Sequence, residues 1–249
     1  WPPERTGIAD YSADLVGVLG ERMDIDLFLE NPTGEEVTPG LKVRSLQEIP
    51  QQQGDYDAIV YHLGNNARHH SKIYRMAWEV PGVAVLHDFN IHAFLQHTYV
   101  GTADEWLYRD ALADAHGDEG LRHFEAVRAG LRDPDIQNYP LSQPIASRCR
   151  SVVVHSAWVR EALGSGVNSY VVPLLSRISS QRSEGELAQL RDSLGLKSNS
   201  FVVGIFGFLN RQKRVPVVLE SCARLRDRGY RIELLMVGST VDPHLRLAE

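Results

Sequence analysis

What most constrains this chain is an alternation. Apolar runs of strand length at positions 26–29, 58–61, 83–86, 151–155, 170–172, 201–206 and 233–237 are separated by stretches of helical periodicity at 8–19, 71–78, 105–115, 119–131, 157–163, 186–194 and 217–226. The runs are rich in Val, Ile, Leu and aromatic residues, as strands buried on both faces of a parallel sheet are. Strand, helix, strand in this order predicts an α/β protein with open parallel sheets and right-handed crossovers. The stretch SRISSQRSEGE, 176–186, is polar and aperiodic, and a new helical stretch follows it. It marks a boundary between a first domain over 1–180 and a second over 181–249. The first is expected to hold roughly six strands and the second only two. A two-stranded parallel sheet can neither cover its faces nor satisfy its edges, so the second domain is expected to dock on the first or to continue beyond residue 249.

Composition removes several functions. A net charge of −6 and a pI of about 5.9 provide no global positive field for nucleic acid. Cys149 and Cys222 form no CxxC and no zinc spacing, which suits a reducing, cytoplasmic setting and not a disulfide framework. No apolar run approaches the roughly 18 residues of a membrane span, and no export signal opens the chain. The opening WPPERTG has no initiator methionine and reads as part of a longer protein.

Ligands of open α/β sheets gather at the carboxyl ends of strands, and three stretches carry unusual residues for such places. In PPERTGIADYSADLV, Gly7 precedes an amphipathic helix, where a missing side chain would let an anion approach the first free N–H groups. A glycine that merely serves the turn is the plainer reading. In VAVLHDFNIHAF, His87 and Asp88 leave a strand. They could orient a substrate hydroxyl, transfer a proton or hold a metal. His62, His69, His70, His92 and His97 raise the metal reading, but the five-residue step from His87 to His92 and the absence of HExxH or a Cys–His cluster argue against it. Helix capping by Asp88 stays open, as does contact of His87 with a sugar. In FVVGIFGFLNRQKRV, Gly204 and Gly207 permit close approach, and Arg211, Lys213 and Arg214 collect where a helix begins. A helix N-terminus favours negative charge, so an anionic ligand would resolve this conflict; a solvated surface cluster is the alternative.

In chain order, PPERTGIADYS, YHLGNNARHH, PGVAVLHDFNIH, VVVHSAWVRE, LRDSLGL and GIFGFLNRQKR resemble the motifs of retaining glycosyltransferases of family 4 across nearly the whole chain. The resemblance implies a GT-B fold, with a Rossmann-like N-terminal domain on the acceptor side. A second Rossmann-like domain, here truncated, would bind a nucleotide-diphosphate sugar. It places Gly7 at the donor phosphates, His87 beside the transferred sugar as the catalytic candidate, and Lys213 on the diphosphate. Many members carry an arginine where this chain has Phe208, so Arg211 or Arg214 would supply the second charge. Asn65, Asn66 and Asp88 are further candidate substrate contacts. The resemblance implies no metal and no cofactor besides the donor, and retention assisted by the leaving phosphate, which helps remove the acceptor's proton. The family's paired-glutamate donor motif would lie beyond residue 249, so residues 1–249 alone are expected to be inactive.

The acceptor side is expected to take a glycan, a small molecule or a lipid-linked acceptor. Trp106, Tyr108 and Phe124 are interleaved with Arg109, Arg122 and Arg128. They could touch such a lipid, or the inner face of a membrane. The mixed charges favour an ordinary amphipathic helix pair with a solvated polar face. Two other classes stay in view. A non-catalytic GT-B-like acceptor-binding or assembly module would share every motif quoted. A nicotinamide-dependent enzyme would need a GxGxxG after a strand, and GIFGFL lacks the third glycine.

Overall fold

The computed structural model describes residues 1–4, 6–32, 40–175, 182–209 and 213–238. The chain divides into two compact units, Trp1–Arg177 and Ile178–Glu249. In chain order the first unit contains α1 (Gly7–Leu19), β1 (Asp26–Leu29), β2 (Lys42–Ser45), α2 (Ile49–Gln52), β3 (Val60–Leu63), α3 (Ala67–Glu79) and β4 (Val83–Leu86). It continues through α4 (His92–Tyr99), α5 (Glu105–Arg128), α6 (Ser142–Arg148), β5 (Ser151–Val154), α7 (Ala157–Leu163) and β6 (Ser169–Val171). The second unit contains α8 (Glu184–Ser193), β7 (Phe201–Phe206), α9 (Val215–Asp227) and β8 (Ile232–Val237).

Every strand pair is parallel, which makes the protein α/β with parallel sheets. The first unit does not form one six-stranded sheet as expected. Its strands form a four-stranded sheet, β3-β4-β5-β6, and a separate ladder of β1 and β2. β2 reads KVRS, too polar and short to stand out in the sequence; the Arg44 guanidinium holds it to Asp26 of β1 at 2.8 Å.

Register decides what each face of the four-stranded sheet does. Tyr61 pairs with Ala84 and Val152, and Leu63 with Leu86 and Val154, so these six side chains share one face. All are buried, and they pack with Tyr74, Trp78, Leu95, Leu107, Tyr108 and Leu112 in one apolar core. The opposite face carries His62, Val85 and Val153 in register, and it is only partly closed. The sheet therefore has one dry face and one face with chemistry on it, where the sequence had suggested two dry ones.

The predicted strand at 58–61 starts two residues later, because its ladder opens where the Val83 N–H meets the Ile59 carbonyl. That shift brings His62 inside the strand. The two predicted helical stretches at 105–131 form one element bent at Gly117, whose φ of 56° suits glycine. A Cβ at Gly120 would fall 2.0 Å from the Leu112 carbonyl oxygen, so glycine there lets the second half cross closely over the first. Tyr108 and Phe124 of this helix point into the core and offer no apolar surface to a membrane or a lipid. Among the described residues, no helix is long and apolar enough to cross a membrane.

Candidate functional site

The partly closed face ends, at the carboxyl edge of the sheet, in three histidines. His62 is the third residue of β3, His87 follows β4 and His155 follows β5. Because Leu63, Leu86 and Val154 are partners, the next pleat sets His87 beside His155, both on the face that already carries His62. The His62 Nδ1 and His87 Nε2 atoms lie 3.1 Å apart, and their rings are stacked at an interplanar angle of 21°. The His155 ring centroid is 5.1 Å from that of His87. Tyr11, one turn into α1, meets all three edge-on, at 5.7 Å from His62, 5.0 Å from His87 and 5.5 Å from His155.

Burial keeps His62 and His87 uncharged. Loss of solvent, aided by its histidine neighbours, pushes His87 down to about 3, and the same two causes push His62 down to about 4. Burial also raises the Tyr11 hydroxyl. His70 lies beneath, its Nδ1 donating to the His62 carbonyl oxygen at 3.1 Å, and burial lowers it to about 4. The His155 Nδ1 donates to the Val172 carbonyl oxygen at 2.9 Å, while its buried Nε2 has no hydrogen-bond partner among the described residues.

The first turn of α1 belongs to the same edge. Thr6 is its N-cap, the hydroxyl accepting from the Ala9 N–H at 3.0 Å, and Gly7 is the first helical residue, not the loop residue before it. Gly7 has no positive φ, and a Cβ there would meet nothing within 4 Å. Among the described residues, neither a positive φ nor close packing requires a glycine here. Next to it, Ile8 sits so close to Gly64 that a Cβ on Gly64 would fall 2.6 Å from Ile8 Cδ1. The following Asn65 donates its backbone N–H to Asp88 Oδ2 at 3.0 Å. The Ile8–Gly64 approach, the Asn65–Asp88 hydrogen bond and the Tyr11–His87 ring contact thus bring the first turns of α1 to the loop and strand end that carry Asn65, Asp88 and His87.

Asp88 does not cap a helix. Its carboxylate holds the Asn65 loop, and partial burial raises its pKa against that one N–H. The N-cap of α4 is Ile91, and the side chain before it, Asn90, accepts the His92 N–H on its Oδ1. Asn66 is occupied structurally as the N-cap of α3, accepting from the Arg68 N–H at 3.0 Å. Among the described residues there is no group of three or more His, Cys, Asp or Glu side chains arranged to hold a metal ion.

In the second unit, Arg214 is the N-cap of α9, with left-handed φ of 50° and no side-chain cap bond. No acidic residue stands in the first turn of that helix, and Pro216 lies in it. Lys213 is exposed, and its Nζ lies 3.9 Å from where a Cβ on Gly207 would sit; Gly207 itself needs glycine for its φ of 93°. Phe208 is half exposed, and Arg211 lies outside the described residues. The positive helix start expected from RQKRV is thus found at Lys213 and Arg214.

Sequence reasoning singled out His87 and passed over Tyr11, His62 and His155 as site residues. A signal for the histidines was present: IVYHL, VAVLHD and SVVVHS each place a histidine at the end of an apolar run. Only the register shows that the three share a face. The class that fold and site define is an α/β protein with parallel sheets and a polar, histidine-lined carboxyl edge. Neither a protein-family model nor any curated protein matches the sequence.

Proposed function

We propose that the chain forms the acceptor-side domain and the opening of the nucleotide-sugar domain of a metal-independent retaining glycosyltransferase with a GT-B fold. The observation that carries this reading is the convergence of the Gly7 helix start with His87 at one carboxyl edge. A helix start whose first residue has no side chain suits a phosphate, and an uncharged imidazole at the same sheet edge suits a sugar hydroxyl better than an ion. The α9 start, with Lys213 and Arg214 and no acidic residue, supports a diphosphate contact in the second unit. In this reading His87 contacts the transferred sugar, Gly7 admits the donor phosphates, and the leaving phosphate assists removal of the acceptor's proton. Asn65 and Asp88 shape the loop beside His87, and the acceptor is a glycan, a lipid-linked sugar or a small-molecule alcohol.

Calorimetric titration of the full-length protein with UDP and GDP tests the donor half. Lys213→Ala should weaken the preferred nucleotide about 10- to 100-fold, the loss of one charge-assisted contact. An unchanged affinity would remove Lys213 from the site. His87→Ala should lower turnover more than donor affinity, since a group beside the reacting sugar matters most in the transition state. A full-length protein that binds glycans but neither nucleotide would instead be a non-catalytic acceptor-binding module.

A further inference from the structure

The contact between His62 and His87 does more than fill space. It ties up one ring nitrogen of His87 and leaves the other, because His87 makes no further side-chain hydrogen bond among the described residues. In a neutral imidazole one nitrogen donates and the other accepts, and the bond made by one fixes the role of the other. Two assignments satisfy the 3.1 Å contact. If the His62 Nδ1 donates, both rings must carry their proton on Nδ1. If the His87 Nε2 donates, both rings carry it on Nε2, the form that the neutral histidine side chain prefers in water. The second assignment satisfies the contact with both rings in their preferred form.

The surroundings make this geometry firm. The His70 Nδ1–H is bound to the His62 carbonyl oxygen and fixes the strand at that residue. The near-parallel planes of the two rings and the edge-on Tyr11 frame the His87 ring in the orientation that makes the contact. We propose that His62 is a positioning residue: its Nδ1 accepts from the His87 Nε2–H, so that His87 turns an unprotonated Nδ1 outward as the acceptor for a ligand hydroxyl. Identification of that ligand as a sugar rests on the function proposed above; the tautomer does not. The same logic makes His62→Asn a conservative change, since the amide Oδ1 can stand in for Nδ1 as acceptor, whereas His62→Leu removes the acceptor.

Two-bond proton–nitrogen NMR correlation on the ¹⁵N-histidine-labelled chain at neutral pH, without any nucleotide sugar, reads the tautomer directly; the His87→Gln spectrum assigns the His87 signals. The wild-type chain should show a protonated Nε2 and an unprotonated Nδ1 at His87. A proton on Nδ1 overturns the proposal, and this measurement decides even if His62→Leu does not fold. In a folded His62→Leu chain the His87 signals should move to the averaged shifts of a ring exchanging between tautomers, and His62→Asn should restore the wild-type pattern. An unchanged His87 spectrum in His62→Leu also overturns it. In the full-length protein, His62→Leu should reduce turnover about tenfold with His62→Asn within a few-fold of wild type. If the tautomer is as stated and no nucleotide sugar is turned over, the functional reading fails while the role of His62 stands.

Discussion

The two units are built from the same element types and differ in how much of their apolar surface finds a partner. In the first, the dry face of the four-stranded sheet is buried under α3, α4 and α5, and Leu95, Leu107 and Leu112 are inaccessible to solvent. In the second, the buried cluster among the described residues is Ile205, Leu209 and Val215, while Phe201 stays 69% exposed and Tyr230 61%. Strand propensity is equal or better in β7 and β8, with FVVGIF and IELLMV. The difference teaches that the apolar pattern makes a strand, whereas layers on both sides make a core. The first unit holds its site with its own packing; the second presents a charged helix start on a much thinner foundation.

Acid should separate the units most widely. His62, His70 and His92 are lowered from the ordinary 6.5 to about 4 and His87 to about 3, in each case chiefly by burial. Between pH 6.5 and about 4 the unfolded chain therefore binds more protons than the folded one. The stability these groups provide is complete above 6.5 and is lost as the pH falls toward their folded values. Each can remove up to about 1.4 kcal/mol per pH unit, less for the more exposed rings, so the four together outweigh any single substitution. The described part of the second unit has no histidine. Its Glu186 and Glu233 are lowered from 4.5, Glu186 by hydrogen bonds from Ser183 and Glu233 by those from Ser200 and Lys197, so their contribution persists down to the carboxylate range. All four tryptophans, Trp1, Trp78, Trp106 and Trp158, lie in the first unit. Urea unfolding followed by tryptophan fluorescence should show a midpoint that falls steadily from pH 6.5 to 4, and a flat midpoint would contradict the buried neutral histidines.

Truncating one residue in each unit tests the comparison directly. Leu95→Ala should cost about 2–5 kcal/mol in the tryptophan-monitored transition, as core leucines do. Phe201→Ala, mostly in solvent, should change the hydrogen-exchange stability of β7 by no more than about 0.5 kcal/mol. Equal costs would mean that β7 is covered in solution and that the contrast between the units is wrong.

A third measurement concerns the polar interior behind α4. His92 is fully buried, with its Nδ1–H donating to the Tyr139 carbonyl oxygen and its Nε2 accepting from the Tyr108 hydroxyl, each at 2.7 Å. Tyr108→Phe strands that Nε2 and should cost about 1–3 kcal/mol. It should also raise the acid sensitivity of the first unit little, because His92 is neutral before and after. A cost near zero would show that water replaces the hydroxyl.

This interior also explains what the sequence could not show. The stretch HAFLQHTY forms α4 although its histidines interrupt the apolar stripe that marks a helix in sequence. One of them, His92, is as buried as any leucine, since its two nitrogens are both satisfied. The α6 stretch SQPIASR was missed for a related reason, with Ser142 fully buried in a polar-looking run. By contrast β4 and β7, pure aliphatic or aromatic runs, appear at the bounds that periodicity gives. The site divides in the same way. His87 was legible because it follows such a run, while Tyr11 and His62 joined it only through the packing of α1 and a two-residue shift of β3.

The smallest effect compares the two helix starts. Thr6 caps α1, and Thr6→Ala should cost about 1 kcal/mol. Arg214 stands at the same position of α9 without a cap bond and with a left-handed backbone, a conformation that costs a non-glycine residue about 1 kcal/mol or more. Arg214→Gly should therefore stabilise the second unit by up to about 1 kcal/mol in hydrogen exchange of α9, where the corresponding change at Thr6 can only destabilise. If Arg214 serves a diphosphate, the same variant should bind the preferred nucleotide several-fold more weakly while folding more firmly. Gain in both would assign the strain to the fold alone and leave Lys213 as the basic contact at that helix start.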